Sequence, residues 1–209
     1  MKKFFLLAAL VAGAQAVQAQ SIAAGTVSLG GGIGYSTTTN KFGVGQNSHE
    51  AKSSQFSFSP TFGYFVAENV AIGLNLEIDT VTPFHSTGSS TTPDANVSLR
   101  IGPFVQFYKM FSEQFGLTGA LGAGYLKLNE TGFNSGQVYT TKASGAYAQI
   151  TPGIVFFPIP KFALSATIGS LGYTTLSDDN DNITNRTTTA GAQFGLDKLQ
   201  LGGTYYFGR

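Results

Sequence analysis

Residues 70–78, VAIGLNLEI, put Val70, Ile72, Leu74, Leu76 and Ile78 at every second position, with Asn75 and Glu77 between them and Asp79 next in line. Alternation with period two marks a strand whose two faces differ. A strand inside a soluble core has no place for two carboxylates, and a strand on a soluble surface has no use for five large aliphatics. The same pattern recurs along the chain. Val27, Leu29, Ile33 and Tyr35 oppose Ser28 and Ser36, and Phe56, Phe58, Phe62 and Tyr64 oppose Gln55, Ser57, Ser59 and Thr61. Val97, Leu99, Ile101, Val105 and Phe107 oppose Ser98, Arg100 and Gln106. Four more apolar faces follow: Phe115 to Tyr125, Ala148 to Phe156, Phe162 to Ile168, and a last strand from about Thr188. In that last strand the parity changes at Asp197-Lys198, which reads as a β-bulge. The count is eight strands.

The connections alternate in length. Short turns at 67–69, 109–114 and 158–161 separate long polar segments at roughly 40–54, 80–95, 129–141 and 175–187. Short and long connections in strict alternation describe an up-and-down meander. SPTFGYFVAENVAIG and TPGIVFFPIPKFALS also align without a gap, a weak internal repeat in which each copy is a hairpin around a short turn.

The first residues, MKKFFLLAALVAGAQAVQAQ, contain a basic start at Lys2 and Lys3, an apolar stretch to about Ala14 and a small-residue cleavage site at Val17-Gln18-Ala19. This pattern predicts a signal peptide over 1–19 and a mature chain of 20–209. The mature part has no apolar run near the ~18 residues of a membrane-spanning helix. Glycine makes up 27 of 209 residues and charged residues only 11%, against roughly 7% and 25% in ordinary soluble domains. A low-charge, glycine-rich, exported chain without helical spans points to a β-structure closed on itself in a membrane. The fold class predicted is therefore all-β, an eight-stranded antiparallel up-and-down transmembrane β-barrel.

On that reading the apolar face meets lipid and the polar face points inward. Tyr64, Phe107, Phe115, Phe156, Phe162, Tyr205 and Phe207 gather beside the short turns, and Tyr35, Phe56 and Tyr125 near the long segments. They are expected to form two aromatic girdles around an aliphatic band. Glu77 and Arg100 fall at similar heights on neighbouring strands, so an ion pair inside the barrel is expected, with Asp79 near enough to share the guanidinium. Gln55, Asn75, Gln106, Thr118, Gln149, Thr151, Thr167 and Gln193 complete a polar interior, lined on the same face by glycines from Gly30 to Gly153.

At this point the chain resembles the small outer-membrane β-barrel family of Gram-negative bacteria, which includes OmpX and the OmpA membrane domain. The stretches that carry the likeness are YFVAENVAIGLNLEI (64–78), SLRIGPFVQFY (98–108) and LQLGGTYYFGR (199–209). The last resembles the terminal strand by which barrel insertion machinery recognises such proteins, although Gly208 and Arg209 follow its final aromatic. The resemblance implies an outer-membrane location, periplasmic termini, surrounding outer-membrane lipid and long loops outside that could meet an extracellular ligand.

Other chemistries find little support. Without cysteine there are no disulfides, thiolate metal sites or thiol nucleophiles, and no basic surplus suggests nucleic acid. The two histidines, His49 and His85, lie in long polar segments, with Ser86 and Glu50 adjacent to them in sequence. Sequence neighbours rarely adopt triad geometry, so no catalytic site is expected. GGGIG (30–34) opens no helix and fits a tightly packed strand better than a phosphate loop. DDNDN (178–182) lacks the twelve-residue spacing of a calcium loop, so no metal or cofactor is expected. Phe42, Val44, Phe133, Val138 and Tyr139 are apolar residues in the long segments, suited to a partner or to packing over the mouth. Two functions remain open: a plugged, non-enzymatic barrel acting through its loops, or a narrow channel gated by the ionic cluster.

Overall fold

The computed structural model describes the backbone of residues 21–42, 49–86, 95–134, 137–178 and 185–208. Their side chains are described too, except at 41–42, 49–51, 83–86, 132–134 and 137–139. The predicted signal peptide lies outside these residues.

Six uninterrupted strands come first: β1 (Val27–Phe42), β2 (His49–Ala67), β3 (Val70–Ser86), β4 (Asn96–Met110), β5 (Phe115–Asn134) and β6 (Gln137–Ile159). The seventh and eighth strands are each broken once. β7a (Phe162–Thr167) continues as β7b (Gly169–Asp178), and β8a (Arg186–Phe194) continues as β8b (Gln200–Phe207). Every neighbour pairs antiparallel, and β8b returns to β1 from Val27↔Phe207 to Gly34↔Gln200, closing the eight-stranded barrel. Alternation accounts for the outer wall. Leu29, Ile33, Leu74, Ile101, Leu121, Ile150 and Leu201 are exposed on it, as a lipid-facing band requires.

The strands run well past the predicted limits. Of the stretches read as long loops, much is strand: β1 and β2 stay paired to Phe42↔His49, and β5 and β6 to Asn134↔Gln137. A transmembrane strand needs about 9–11 residues, so strands of 16 to 23 residues project beyond the bilayer. The projecting parts are rich in Thr, Ser and Asn. Threonine fits a pleated strand in water, but without large apolar residues the alternation disappears from the sequence.

The second correction concerns Asp197-Lys198. These residues belong to a 3₁₀ turn, Leu196–Lys198, in place of a β-bulge. Opposite it, Gln200 pairs with Thr167 and Phe194 with Gly169, so five residues face the single residue Ile168, far more than a bulge inserts. Both strands change parity at this level: Leu164 and Ile168, then Leu171 and Tyr173, are exposed on the outside. The Gly195 amide donates to the Ile168 carbonyl at 3.0 Å, which anchors the dislocation. Gly169 has φ +132°, and a side chain there would overlap the Gln193 carbonyl, so only glycine fits this turning point.

The dislocation has an effect on the wall above it. β1 continues from Tyr35 to Phe42 bonded to β2, while β8a is bonded to β7b. Among the described residues no ladder joins β1 to β8a, and all nine residues of β8a are exposed.

Below the barrel, residues 21–26 cross the mouth at the short-turn end as a strap. The Ile22 amide donates to Asn69 Oδ1 at 2.9 Å, and the Asn69 amide donates back to the Ile22 carbonyl at 3.0 Å. Asn69 itself takes φ +60° in the β2–β3 turn, a conformation its short polar side chain tolerates. Gly25 and Phe65 continue the strap, the Gly25 amide reaching the Phe65 carbonyl at 2.8 Å.

Candidate functional site

The lumen holds two unlike zones. Its upper zone is ionic. Glu77 lies directly across the β3–β4 ladder from Arg100, and Arg100 Nη1 is 3.2 Å from Glu77 Oε1 and 3.4 Å from Asp79 Oδ2. Asp79 Oδ1 also accepts a hydrogen bond from Ser57 on β2, and the Tyr147 hydroxyl from β6 donates to Asn75 Oδ1 at 3.3 Å. One guanidinium thus bridges two carboxylates, the second of them held to the wall by Ser57 as well. Charges in a confined interior are tolerated only when paired in this way.

Around the cluster is a polar cavity of about 360 Å³, lined by Gln55, Gln149, Thr151, Gln193 and Gln200 among others. Lys198 also reaches it. The 3₁₀ turn aims its Nζ inward, 3.4 Å from Gln55 Oε1 and 3.7 Å from Asp197 Oδ2. No sequence pattern pointed to Lys198, because its inward aim comes from the dislocation. Phe104 borders both this cavity and a second space of about 140 Å³ nearer the short turns. Its ring lies over Gly73, where a side chain would meet it.

The zone at the short-turn end corrects the expectation of a polar interior throughout. Phe65, Val155, Phe157 and Tyr206 pack inward with Ala71, Ala163, Met110 and Ile22 of the strap, all at most 7% exposed. Tyr206 sits 5.2 Å from Phe157 and 6.0 Å from Phe65, centroid to centroid, and Phe65 sits 5.5 Å from Tyr108. The Tyr108 and Tyr206 hydroxyls are 3.2 Å apart. Tilted ring pairs at such separations add about 0.5–1.5 kcal/mol each beyond simple burial. The signal was available in the sequence as aromatic doublets beside the turns: Tyr64-Phe65, Phe107-Tyr108, Phe156-Phe157 and Tyr205-Tyr206. In each doublet one ring faces out and its neighbour faces in.

The outward members belong to the lower aromatic set. Tyr64, Phe107, Phe115, Phe156, Tyr205 and Phe207 are exposed on the outer wall, and Phe162 is partly covered. Among the described residues there is no group of three metal-ligating side chains. The side chains of His49, His85, Ser86, Phe42, Val44, Phe133, Val138 and Tyr139, and most of 178–182, lie outside the described residues.

A family model described as outer membrane protein beta-barrel domain matches residues 5–195. Among solved structures the chain is similar to the outer membrane protein OprG from Pseudomonas aeruginosa, at 16% identity and TM-score 0.48, over 92% of this chain and 99% of that one. It is similar to the N-terminal beta-barrel domain of Pseudomonas aeruginosa OprF, at 15% identity and TM-score 0.41, over 90% and 100%. A third similarity is to Ail, the attachment invasion locus protein of Yersinia pestis, at 17% identity and TM-score 0.43, over 88% and 99%. None of the curated proteins compared matches the chain.

Proposed function

The chain belongs to the outer membrane protein beta-barrel domain family, and from that premise we propose that it is a plugged, non-enzymatic anchor in the outer membrane. Its role on this reading is carried by the outer loops, which meet an extracellular ligand. Its other partners are the surrounding outer-membrane lipid and the insertion machinery, engaged through β8b.

The observation that supports a plug is the aromatic zone. Phe65, Phe157, Tyr206 and Ile22 are almost without exposure at the periplasmic end, and an eight-stranded barrel leaves little more room than its side chains fill. The alternative, a narrow channel, draws support from the polar cavity above. In that case the barrier lies at the aromatic zone, below the ionic cluster.

Planar-bilayer conductance of residues 20–209 tests the choice, with heat-modifiable migration showing that the protein is folded. The wild type and Glu77→Ala are expected to be silent, and Phe65→Ala/Phe157→Ala to pass small steps. Reproducible steps from the wild type that change with Glu77→Ala would refute the plug and make the barrel a gated pore.

A further inference from the structure

The wall above the dislocation is split. From Gly34↔Gln200 downward β1 and β8b are bonded; above that level β1 and β8a each have one bonded neighbour among the described residues. The split begins at bilayer depth, since the β7b–β8a ladder beside it carries Leu171↔Ala192 and Tyr173↔Ala190, with Leu171, Tyr173 and Phe194 exposed outward. Hydrocarbon does not tolerate unpaired strand edges, which persist at that depth only beside water or other polar partners. The two lips are therefore a place where something polar stands against lipid.

Both lips line the ionic cavity: Tyr35 and Ser36 from β1, Thr189 and Gln193 from β8a, with Lys198 at the sill. Outside the split the surface is apolar. Leu196 is 84% exposed, and Tyr35 on β1 and Phe194 at the end of β8a are exposed too. Polar inside and apolar outside at one opening is the shape of an amphiphile, with its head in the cavity and its chain along the wall.

The lining also constrains the head. Arg100 is shared by Glu77 and Asp79, and Lys198 lies against Gln55 and Asp197; three acids against two bases leave one negative charge in excess and no free cation to hold an anionic head. Gln55, Gln149, Gln193 and Gln200 instead present amides that donate and accept, as a hydroxyl-rich head requires. The cavity of about 360 Å³ holds roughly a dozen waters at liquid density, room for a head of monosaccharide size.

We propose that the split between β1 and β8a is a side window through which the luminal cavity takes the uncharged, polyhydroxylated head of a membrane amphiphile, a glycolipid-like ligand. This inference does not depend on the plug being tight, because its readouts involve no current.

The chain has no cysteine, so single introduced thiols report without background. Gln193→Cys on the lip, Gln149→Cys deeper on the inner wall and Ile150→Cys on the lipid face are each reconstituted in phospholipid vesicles. Folding is checked by heat-modifiable migration. Each variant is exposed to N-dodecylmaleimide, confined to the bilayer, and to a charged maleimide in water. The window predicts that N-dodecylmaleimide labels Gln193→Cys within about threefold of the rate at Ile150→Cys and at least tenfold faster than Gln149→Cys. Labelling of Gln193→Cys by the aqueous reagent alone overturns the window. Dodecyl glucoside is expected to slow labelling at Gln193→Cys at least fivefold, with no protection from free glucose or dodecyltrimethylammonium. Equal protection by both dodecyl compounds overturns the ligand class. Protection that rises with protein concentration, together with a crosslinked dimer, overturns the proposal in favour of a second copy covering the lips.

Discussion

Arg100 satisfies two acids at once, and its value shows best in its absence. Arg100→Ala leaves Glu77 and Asp79 facing each other in a confined space with the bridging charge gone. Breaking a buried ion pair on one side costs about 3–5 kcal/mol; with Arg100 itself 28% exposed, a loss of about 3 kcal/mol is expected. Urea unfolding from lipid vesicles measures it. Replacing all three with neutral isosteres, Glu77→Gln, Asp79→Asn and Arg100→Gln, should recover most of the loss, since no stranded charge remains. An unchanged midpoint in Arg100→Ala would show that water enters the cavity freely enough to solvate the acids. The pairing was legible because both residues sit inward on adjacent strands at countable heights from short turns. Lys198 was illegible by the same method, since counting by twos fails across a turn that inserts residues.

At the scale of the strand, one doublet separates the two sides of the wall. Phe157 is 2% exposed within the inner aromatic zone, whereas Phe156 is 43% exposed toward lipid. Phe157→Ala is expected to cost about 3–5 kcal/mol, the range for emptying an aromatic site in a packed core. Phe156→Ala exchanges ring contacts for lipid contacts and is expected to cost about 1 kcal/mol or less, because lipid refills the space that a core leaves empty. Comparing the two by urea titration checks the assignment of faces directly; equal losses would mean that the inner zone is not packed. Alternation revealed the outer face of nearly every strand but said less about the inner face. A doublet such as VFFP satisfies the outward pattern with its first ring, and the second was passed over. The change of parity in the seventh strand was hidden for a related reason. Ile168-Gly169-Ser170-Leu171 reads smoothly, and only the backbone at Gly169 reveals that the faces exchange there. The projecting hairpins escaped because polar strands in water carry no alternation to read.

Taken whole, the barrel joins its first residues to its last. Ile22 from the strap and Tyr206 from the final strand meet in one cluster with Phe65 and Phe157, and Val27 pairs with both Tyr64 and Phe207. This arrangement bears on the order of assembly. A barrel lacking its last strand lacks the ring against which Phe65 and Phe157 pack, so the burial that seals the short-turn end is withheld until closure. Closure and sealing then occur together, and reopening requires both to be undone. Tyr206→Ala is expected to leave early strand formation in vesicle refolding unchanged while speeding unfolding of the closed form about tenfold or more. Time-resolved heat-modifiable migration in urea jumps measures the two limbs separately, and a variant slowed only in its first phase would place the plug before closure. The aromatic zone that fills the end of the finished barrel is also a clasp, one whose two halves are made at opposite ends of translation.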